Sequence, residues 1–138
     1  MIGSNPGKFK GKDNPVEWVS WDDAQAFCKK LSEQTKQSIR LPTEAEWEYS
    51  CRAGTKTTYH SGDSDKDLDR VAWYEVNSKR TIHPVGQKEP NTFGLYDMHG
   101  NVWQWCEDLW DEKYYSKSPT ENPQSRDRGY FRSVRGGS

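Results

Sequence analysis

The chain has 138 residues, with 20 basic side chains, 21 acidic side chains and a net charge of −1. This length predicts one domain, and the balanced charge gives no electrostatic basis for binding nucleic acid or an anionic membrane. No apolar run is long enough to span a bilayer, and the N-terminal residues lack a signal-peptide pattern. The many aromatic residues favour a folded chain despite its low mean hydropathy, because disordered chains contain few of them.

The cysteine pattern indicates a reducing compartment. The three cysteines are an odd number without a Cys-x-x-Cys pair, so we expect free thiols and a cytoplasmic setting: Cys28, Cys51 and Cys106. The histidines are scattered and lack zinc-ligand spacing. We expect turn or surface positions for all three: His60, His83 and His99.

The first predicted helix follows a short β-like run at 16–19. Ser20 is the expected N-cap, and Asp23 lies three residues later, as in a capping box. Apolar residues then recur on one helical face: Ala24, Phe27, Cys28 and Leu31. This spacing predicts an amphipathic helix over about Trp21–Gln34. Cys28 lies on the apolar stripe, which favours a core residue over a nucleophile.

The second predicted helix begins after Thr43, an N-cap with Glu46 in the capping-box position. It extends to about Arg52, and Gly54 terminates it. A first turn that is acidic and solvated suits the positive end of the helix dipole. Capping therefore explains the glutamates of this segment better than acid/base catalysis does: Glu44, Glu46 and Glu48.

The remaining segments are mostly irregular. The polar residues 55–69 predict a loop, whereas the apolar residues 71–74 and the segment 83–86 predict short strands. Residues 114–129 form a long predicted loop, and the alternation at 131–134 predicts a terminal strand. Two helices, short antiparallel strands and long loops together predict an α+β domain.

The stretch 91–105 contains seven apolar or aromatic side chains and two glycines in fifteen residues. Gly94 and Gly100 interrupt regular structure, while Asp97 and Asn101 favour turns. One interpretation is a loop held in the core by its side chains and an ion; the other is a tight turn between two strands of an all-β core. Burial is expected for six side chains: Phe93, Leu95, Tyr96, Val102, Trp103 and Trp105. Two tryptophans are the expected core anchors: Trp47 and Trp105.

Five motifs follow one another along the chain. They are Val-Ser-Trp-Asp-Asp-Ala at 19–24, Arg-Leu-Pro-Thr-Glu-Ala-Glu-Trp-Glu-Tyr at 40–49, His-Pro-Val-Gly at 83–86, Asn-Thr-Phe-Gly-Leu-Tyr-Asp-Met-His-Gly-Asn-Val-Trp-Gln-Trp at 91–105 and Val-Arg-Gly-Gly-Ser at 134–138. In this order the motifs resemble the formylglycine-generating enzyme family, also called the sulfatase-modifying-factor family. The resemblance covers nearly the whole chain and implies one domain over 1–138 with a C-type-lectin-like α+β fold.

The resemblance also implies where copper chemistry would lie. Complete family members oxidise a sulfatase cysteine to formylglycine with oxygen and a copper ion, which two cysteines shortly after Arg-Gly-Gly-Ser hold. Here that motif ends at Ser138, so we expect a natural chain that continues and an inactive domain on its own. Ser138 matches a serine of the family's substrate pocket, and Trp103 matches a tryptophan beside it. No residue is assigned a catalytic role.

A structural calcium site is a further implication of the resemblance. Asp97 would supply its carboxylate, Gly100 and Val102 their main-chain carbonyls, and Gln104 its side-chain carbonyl. The family commonly has Glu at the position of Gln104 and often Asn at that of Asp97, so this chain keeps one carboxylate but loses a bidentate Glu. The alternative is an ion-free turn in which Asp97 accepts hydrogen bonds from neighbouring amides.

The fold also serves proteins that are not enzymes, since related domains are fused to bacterial kinases and others are binding scaffolds. The second hypothesis is therefore a ligand-binding or protein-binding module with a protein or peptide partner. Two cysteines soon after Arg-Gly-Gly-Ser would favour the oxidase. A sulfoxide-forming iron enzyme would need a domain with a His cluster, which this sequence does not show. An exposed terminal strand would also permit homo-oligomers.

Overall fold

Three α-helices precede a two-stranded antiparallel sheet in the computed structural model, which describes residues 5–126 and 129–137. Along this part of the chain the elements are α1 (Trp21–Thr35), α2 (Glu44–Arg52), α3 (Asp65–Val71), β1 (Gln104–Leu109), a 3₁₀ turn (Tyr114–Ser116) and β2 (Arg132–Arg135). The α+β class is confirmed, with three helices where two were predicted. No helix of the described residues has the length and apolar content needed to cross a membrane.

Local side-chain hydrogen bonds start every helix. In each, the N-cap hydroxyl accepts from the N3 amide while the N3 carboxylate accepts from the N-cap amide: Ser20 with Asp23, Thr43 with Glu46, and Ser64 with Asp67. The first two boxes were predicted. The third begins α3 and corrects the predicted loop at 55–69 and the strand at 71–74, because a helix of two turns is too short to show an amphipathic period.

Two other predicted strands are absent from the described residues. The run at 16–19 cannot remain extended because Trp18 has a left-handed backbone, with φ of 61°. The segment 83–86 ends in a turn, in which Gly86 has φ of 73°. In both places a single residue with positive φ reverses the chain, and alternation over four residues did not reveal it.

The terminal strand was correctly predicted, and it pairs with the strand that follows the aromatic-rich stretch. Gln104 lies opposite Arg135 and Trp105 opposite Val134, with an irregularity before Leu109. The extra residues lie on β1, as in a β-bulge. Homo-oligomerisation through the terminal strand stays a prediction.

Two tryptophans join the start of α1 to β1. The indole N–H of Trp21 donates to the Cys106 carbonyl at 2.9 Å, and that of Trp105 donates to the Val19 carbonyl at 3.0 Å. The guanidinium of Arg132 lies 3.6 Å from the centre of the Trp21 ring. These contacts let each indole bury its ring edge with its polar group satisfied.

The core lies where α2, β1 and the preceding loop meet. Its buried cluster consists of Trp47, Cys51, Met98 and Cys106. Trp47 is 6% exposed and is a core anchor, as predicted. Trp105, the other predicted anchor, is only half-buried, and its indole N–H reaches the Val19 carbonyl just before α1.

The aromatic-rich stretch 91–105 is arranged differently from the prediction of buried aromatic side chains. Val102 is half-buried, and four of the six side chains are substantially exposed, from 38% to 60%: Phe93, Leu95, Tyr96 and Trp103. The residues that this stretch buries are mainly polar or small: Asn91, Met98, Gly100 and Asn101. The stretch is therefore a loop whose backbone, rather than its rings, is packed inside.

Asparagine side chains replace the missing secondary structure in this loop. The Asn91 amide donates to the Ser50 carbonyl at 2.7 Å, and its oxygen accepts from the Phe93 amide at 3.0 Å. The Asn101 side chain bonds both backbone groups of His83, at 3.0 Å each. Buried backbone groups are costly when unpaired, so these side chains stabilise an otherwise irregular segment.

A buried carboxylate fastens the loop after β1 to α2. Asp108 is fully buried, and its two oxygens accept from the backbone amides of Glu44 at 2.8 Å and Ser125 at 2.9 Å. Glu44 is the first residue of α2, so the negative charge also lies at the positive end of the helix dipole.

We predict that Gly100→Ala destabilises the fold strongly, because the new Cβ would overlap the carbonyl oxygen of Trp73. Backbone atoms cannot move aside as a flexible side chain can, so the loss should exceed about 2 kcal/mol. Gly94→Ala is the matched control in the same loop. It meets no atom within 4 Å and suffers only its positive φ, which costs about 1 kcal/mol. Urea unfolding of both variants tests this, and equal losses would contradict it.

Candidate functional site

Asp97 occupies a strained turn with one unsatisfied oxygen. Its backbone is left-handed, with φ of 58°. Oδ2 accepts from the Gly86 amide at 2.9 Å, whereas Oδ1 is buried without a hydrogen-bond donor among the described residues. A buried carboxylate oxygen without a partner is costly and calls for a water molecule or a cation.

Two of the other predicted calcium ligands, Gly100 and Val102, follow Asp97 in the same loop, and the third, Gln104, is the first residue of β1. The carbonyl of Gly100 accepts from the Val102 amide at 3.1 Å. The Gln104 side chain donates from Nε2 to the Asp97 carbonyl at 2.9 Å, and its Oε1 accepts the indole N–H of Trp47 at 2.9 Å. Gln104 thus connects the loop to α2.

The donor set suits a hard cation. One carboxylate and several carbonyl oxygens are ligands that Ca²⁺ prefers, and the unpartnered Asp97 Oδ1 fits such an ion. Within the described ranges, no three or more His, Cys, Asp or Glu side chains are grouped to hold a metal. An ion at this loop would therefore depend on carbonyl oxygens beside its one carboxylate.

An open cavity of about 400 Å³ lies between α2, the loop 58–60 and the end of β2. Trp103 lines it and is 60% exposed. Gly136 and Gly137 line it too. Ser138, the other predicted pocket residue, lies outside the described residues.

One wall of the pocket is charged. The guanidinium of Arg135 pairs with Glu44 at 3.2 Å and with Glu48, and it lies 5.0 Å from the centre of the Trp47 ring. Arg52 also pairs with Glu48, at 2.6 Å. The glutamates therefore position two arginines at the pocket, beyond the capping role that the sequence indicated.

The floor of the pocket holds the Cys51 thiol and the imidazoles of His60 and His99, and the two histidines were expected in turns or on the surface. The Cys51 thiol donates to the Met98 carbonyl at 3.7 Å and lies 3.7 Å from His99 Nε2. The same Nε2 accepts from the His60 backbone amide at 3.1 Å, and the two imidazoles stack with centroids 4.9 Å apart. Residues 39 positions apart meet here, and no local sequence signal could have shown this.

These groups are held uncharged. Burial lowers the pKa of His99 to about 4 and raises the pKa of the Cys51 thiol to about 11. A thiolate–imidazolium pair, which a nucleophilic cysteine requires, is therefore disfavoured. The thiol and the imidazoles therefore fit a structural role in the pocket floor rather than a nucleophilic one.

The remaining thiols do not fit a copper site either. All three cysteines are free and buried, and burial raises the pKa of each, that of Cys106 to about 12. Copper(I) binds thiolates, which these environments disfavour. The three cysteines of this chain thus do not correspond to the two cysteines that would hold copper in complete formylglycine-generating enzymes.

The sulfatase-modifying factor enzyme 1-like domain family matches residues 3–138, and the chain belongs to this family. It is 38% identical to the formylglycine-generating enzyme of Streptomyces coelicolor, over 91% of this chain and 42% of that protein. It is 37% identical to the serine/threonine-protein kinase pkn1 of Chlamydia caviae, over 96% of this chain and 20% of the kinase. The chain therefore spans less than half the length of either relative.

A solved structure supports the same assignment. The Treponema denticola variable protein 1 superposes with a TM-score of 0.90 at 30% identity, covering 99% of this chain and 66% of that one. The predicted C-type-lectin-like fold of the formylglycine-generating family is thereby confirmed. This chain and the Treponema denticola protein therefore share one fold, on which the five sequence motifs can be located.

We predict that the domain loses stability as the pH falls from about 6.5 towards 4. In this range the unfolded chain protonates His99 but the folded chain does not, since the folded pKa is about 4. Burial lowers the pKa of His60 as well, which acts in the same direction. The loss due to His99 should be on the order of 3 kcal/mol by pH 4. His99→Gln keeps an acceptor for the His60 amide and should flatten the profile in urea titrations. Parallel profiles would refute the assignment to His99.

Proposed function

We propose that this domain forms the Trp103 side of a peptide-binding pocket of the formylglycine-generating type. The supporting observation is that Trp103 and Gly136–Gly137 line one cavity, although they are more than thirty residues apart in the sequence. Ser138, the matched pocket serine, directly follows these glycines. The pairing of β1 with β2 brings the residues just before β1 close to those just after β2, which supports the proposal.

The chemistry of the cavity favours a polypeptide ligand. A volume of about 400 Å³ accommodates one or two side chains, and its open form suits a segment that extends beyond it. The exposed indole of Trp103 offers an apolar face, and the nearby arginines offer hydrogen-bond donors to carbonyl groups. We infer that the substrate class is an extended, cysteine-containing segment of a sulfatase.

Oxidation would need groups that the described part of the chain does not offer. Copper supplies the oxygen chemistry in complete family members, and thiolates after the Arg-Gly-Gly-Ser motif hold it. The buried, protonated thiols described above are unsuited to that role. We therefore propose that the 138-residue chain binds but does not oxidise such a peptide, and that its setting is the reducing cytoplasm.

A non-catalytic module is the second candidate. The kinase pkn1 of Chlamydia caviae contains a segment 37% identical to this chain, which favours a role in recognising proteins. The exposed aromatic side chains around Phe93 and Trp103 would serve that role equally well. The two candidates differ in whether a cysteine in the peptide matters.

We propose further that the loop of Asp97 binds calcium. Asp97 Oδ1 would be the charged ligand, with the carbonyls of Gly100 and Val102 and the side-chain oxygen of Gln104 completing the protein's share. The support is the unpartnered, buried Oδ1. The ion would neutralise this oxygen and fix the turn beneath the pocket, and water would fill the remaining positions.

We predict that the chain forms no aldehyde on a sulfatase-derived cysteine peptide with copper and oxygen, as judged against a control without protein. It should nevertheless bind the peptide, and Trp103→Ala should weaken binding about tenfold, because an exposed pocket indole is a typical hot spot. Trp18→Ala, also an exposed indole but outside the pocket, is the matched control. Fluorescence anisotropy with cysteine and serine versions of the peptide distinguishes the two candidates, since only the enzyme-type pocket should prefer cysteine. Aldehyde formation, or equal effects of both substitutions, would contradict the proposal.

We predict that calcium raises the melting temperature relative to chelator. By mass action, an ion at 100 times its Kd adds about 2.7 kcal/mol to the free energy of unfolding. Asp97→Asn should reduce this gain, whereas Asp22→Asn, at an exposed carboxylate of α1, should not. If saturating calcium changes neither melting nor calorimetric heat, the loop is an ion-free turn.

A further inference from the structure

The side-chain amide of Gln104 connects the Asp97 loop to Trp47 in the pocket, and its two hydrogen bonds determine which way the amide faces. Nε2 donates to the Asp97 carbonyl at 2.9 Å, and Oε1 accepts from the Trp47 indole at 2.9 Å. An indole nitrogen can only donate and a carbonyl oxygen can only accept. The nitrogen of the amide must therefore face the loop, and its oxygen must face Trp47.

This orientation conflicts with cation binding at the same loop. In the proposed calcium site Gln104 supplies an oxygen, but its amide presents an N–H group to the Asp97 loop. Rotating the amide by half a turn would offer the oxygen, and it would also place two N–H donors, those of Gln104 and Trp47, against each other. The Trp47 hydrogen bond and ligation of an ion by Gln104 therefore exclude one another.

We propose that the Gln104 amide couples cation binding at the Asp97 loop to the position of Trp47 in the wall of the pocket. This inference rests on the proposed calcium site. Coupling between two sites is reciprocal. A ligand that holds Trp47 in its present position should therefore lower the affinity for the ion, and the ion should lower the affinity for that ligand.

The surroundings of the amide favour rotation over displacement. Gly136 packs so closely that a Cβ there would lie 3.2 Å from Gln104 Nε2 and 3.3 Å from the Val102 carbonyl. Little room is therefore left for the amide to move towards Gly136, whereas a half-turn about its own axis keeps it in nearly the same volume. Gly136 also lines the pocket, so the junction and the pocket share this residue.

Trp47 carries the change into the pocket. Its ring is almost fully buried, lines the cavity and lies beneath the Arg135 guanidinium, 5.0 Å away. A new position of the indole would alter the support of Arg135, which also pairs with Glu44. Ion binding would thus change the position of Arg135 in the pocket wall without contacting that residue.

A glutamate in place of Gln104 would remove the conflict. A carboxylate has two oxygens, so one can accept from the Trp47 indole while the other ligates the ion. Gln104→Glu removes the donor to the Asp97 carbonyl. It should nevertheless bind calcium about tenfold more tightly, because binding no longer breaks the Trp47 hydrogen bond and a negative charge is gained. In this variant the ion should leave Trp47 in place.

The test is a calcium titration of the 138-residue chain labelled with ¹⁵N, beside isothermal calorimetry of the same samples. The assigned indole N–H resonance of Trp47 should shift with the calorimetric binding curve in the native protein, since it loses its acceptor. The indoles of Trp21 and Trp105, which donate to backbone carbonyls elsewhere, are internal controls. In Gln104→Glu the Trp47 resonance should stay in place while calcium binds more tightly.

The outcomes separate the coupling from the calcium site itself. Binding heat with an unmoved Trp47 resonance in the native protein overturns the coupling and leaves the calcium site standing. A Trp47 shift of equal size in Gln104→Glu also overturns it, because a carboxylate has no need to rotate. Absence of binding heat in the native protein overturns both proposals. The native titration decides the matter even if Gln104→Glu fails to fold.

Discussion

Buried backbone groups in long loops need hydrogen-bond partners, and in this domain a few Asn and Asp side chains supply them. Asn91 ties the stretch before β1 to the end of α2, Asn101 clamps His83, and Asp108 joins α2 to the loop before β2. A chain with so little helix and sheet would otherwise leave these groups unsatisfied. The fold therefore depends on buried polar contacts as well as on its small apolar core, and several aromatic rings of the stretch 91–105 lie at the surface.

The pocket inherits its properties from this arrangement. Its floor is an uncharged thiol–imidazole group, because burial opposes the charged forms of Cys51 and His99. Its wall carries two arginines that glutamates of α2 hold in place. Such a lining offers partners for polar groups and for an apolar side chain, and neither Cys51 nor His99 is in the charged form that an activated nucleophile needs. This agrees with a family in which a metal, and not the fold alone, supplies the oxidising chemistry.

Gln104 joins the two proposed sites. It is the first residue of β1, so its backbone is fixed by the sheet while its side chain spans from the Asp97 loop to Trp47. An amide has one donor end and one acceptor end, and each end here has a partner that only its present orientation satisfies. A chemically asymmetric side chain at such a junction makes the two sites interdependent, whereas a carboxylate would let them act separately.

The sequence by itself determined the features that depend on near neighbours. The capping boxes place α1 and α2 within about a residue, the alternation at 131–134 marks β2, and the ordered motifs define the family. Tertiary structure decided the rest. The rings of Phe93 and Trp103 are exposed because the buried side chains of that loop are mainly asparagines. These asparagines bond backbone groups about 18 to 41 positions away. His60 and His99 stack in the pocket because the His60 amide donates to the His99 imidazole across 39 positions, and no local pattern encodes such a long-range contact.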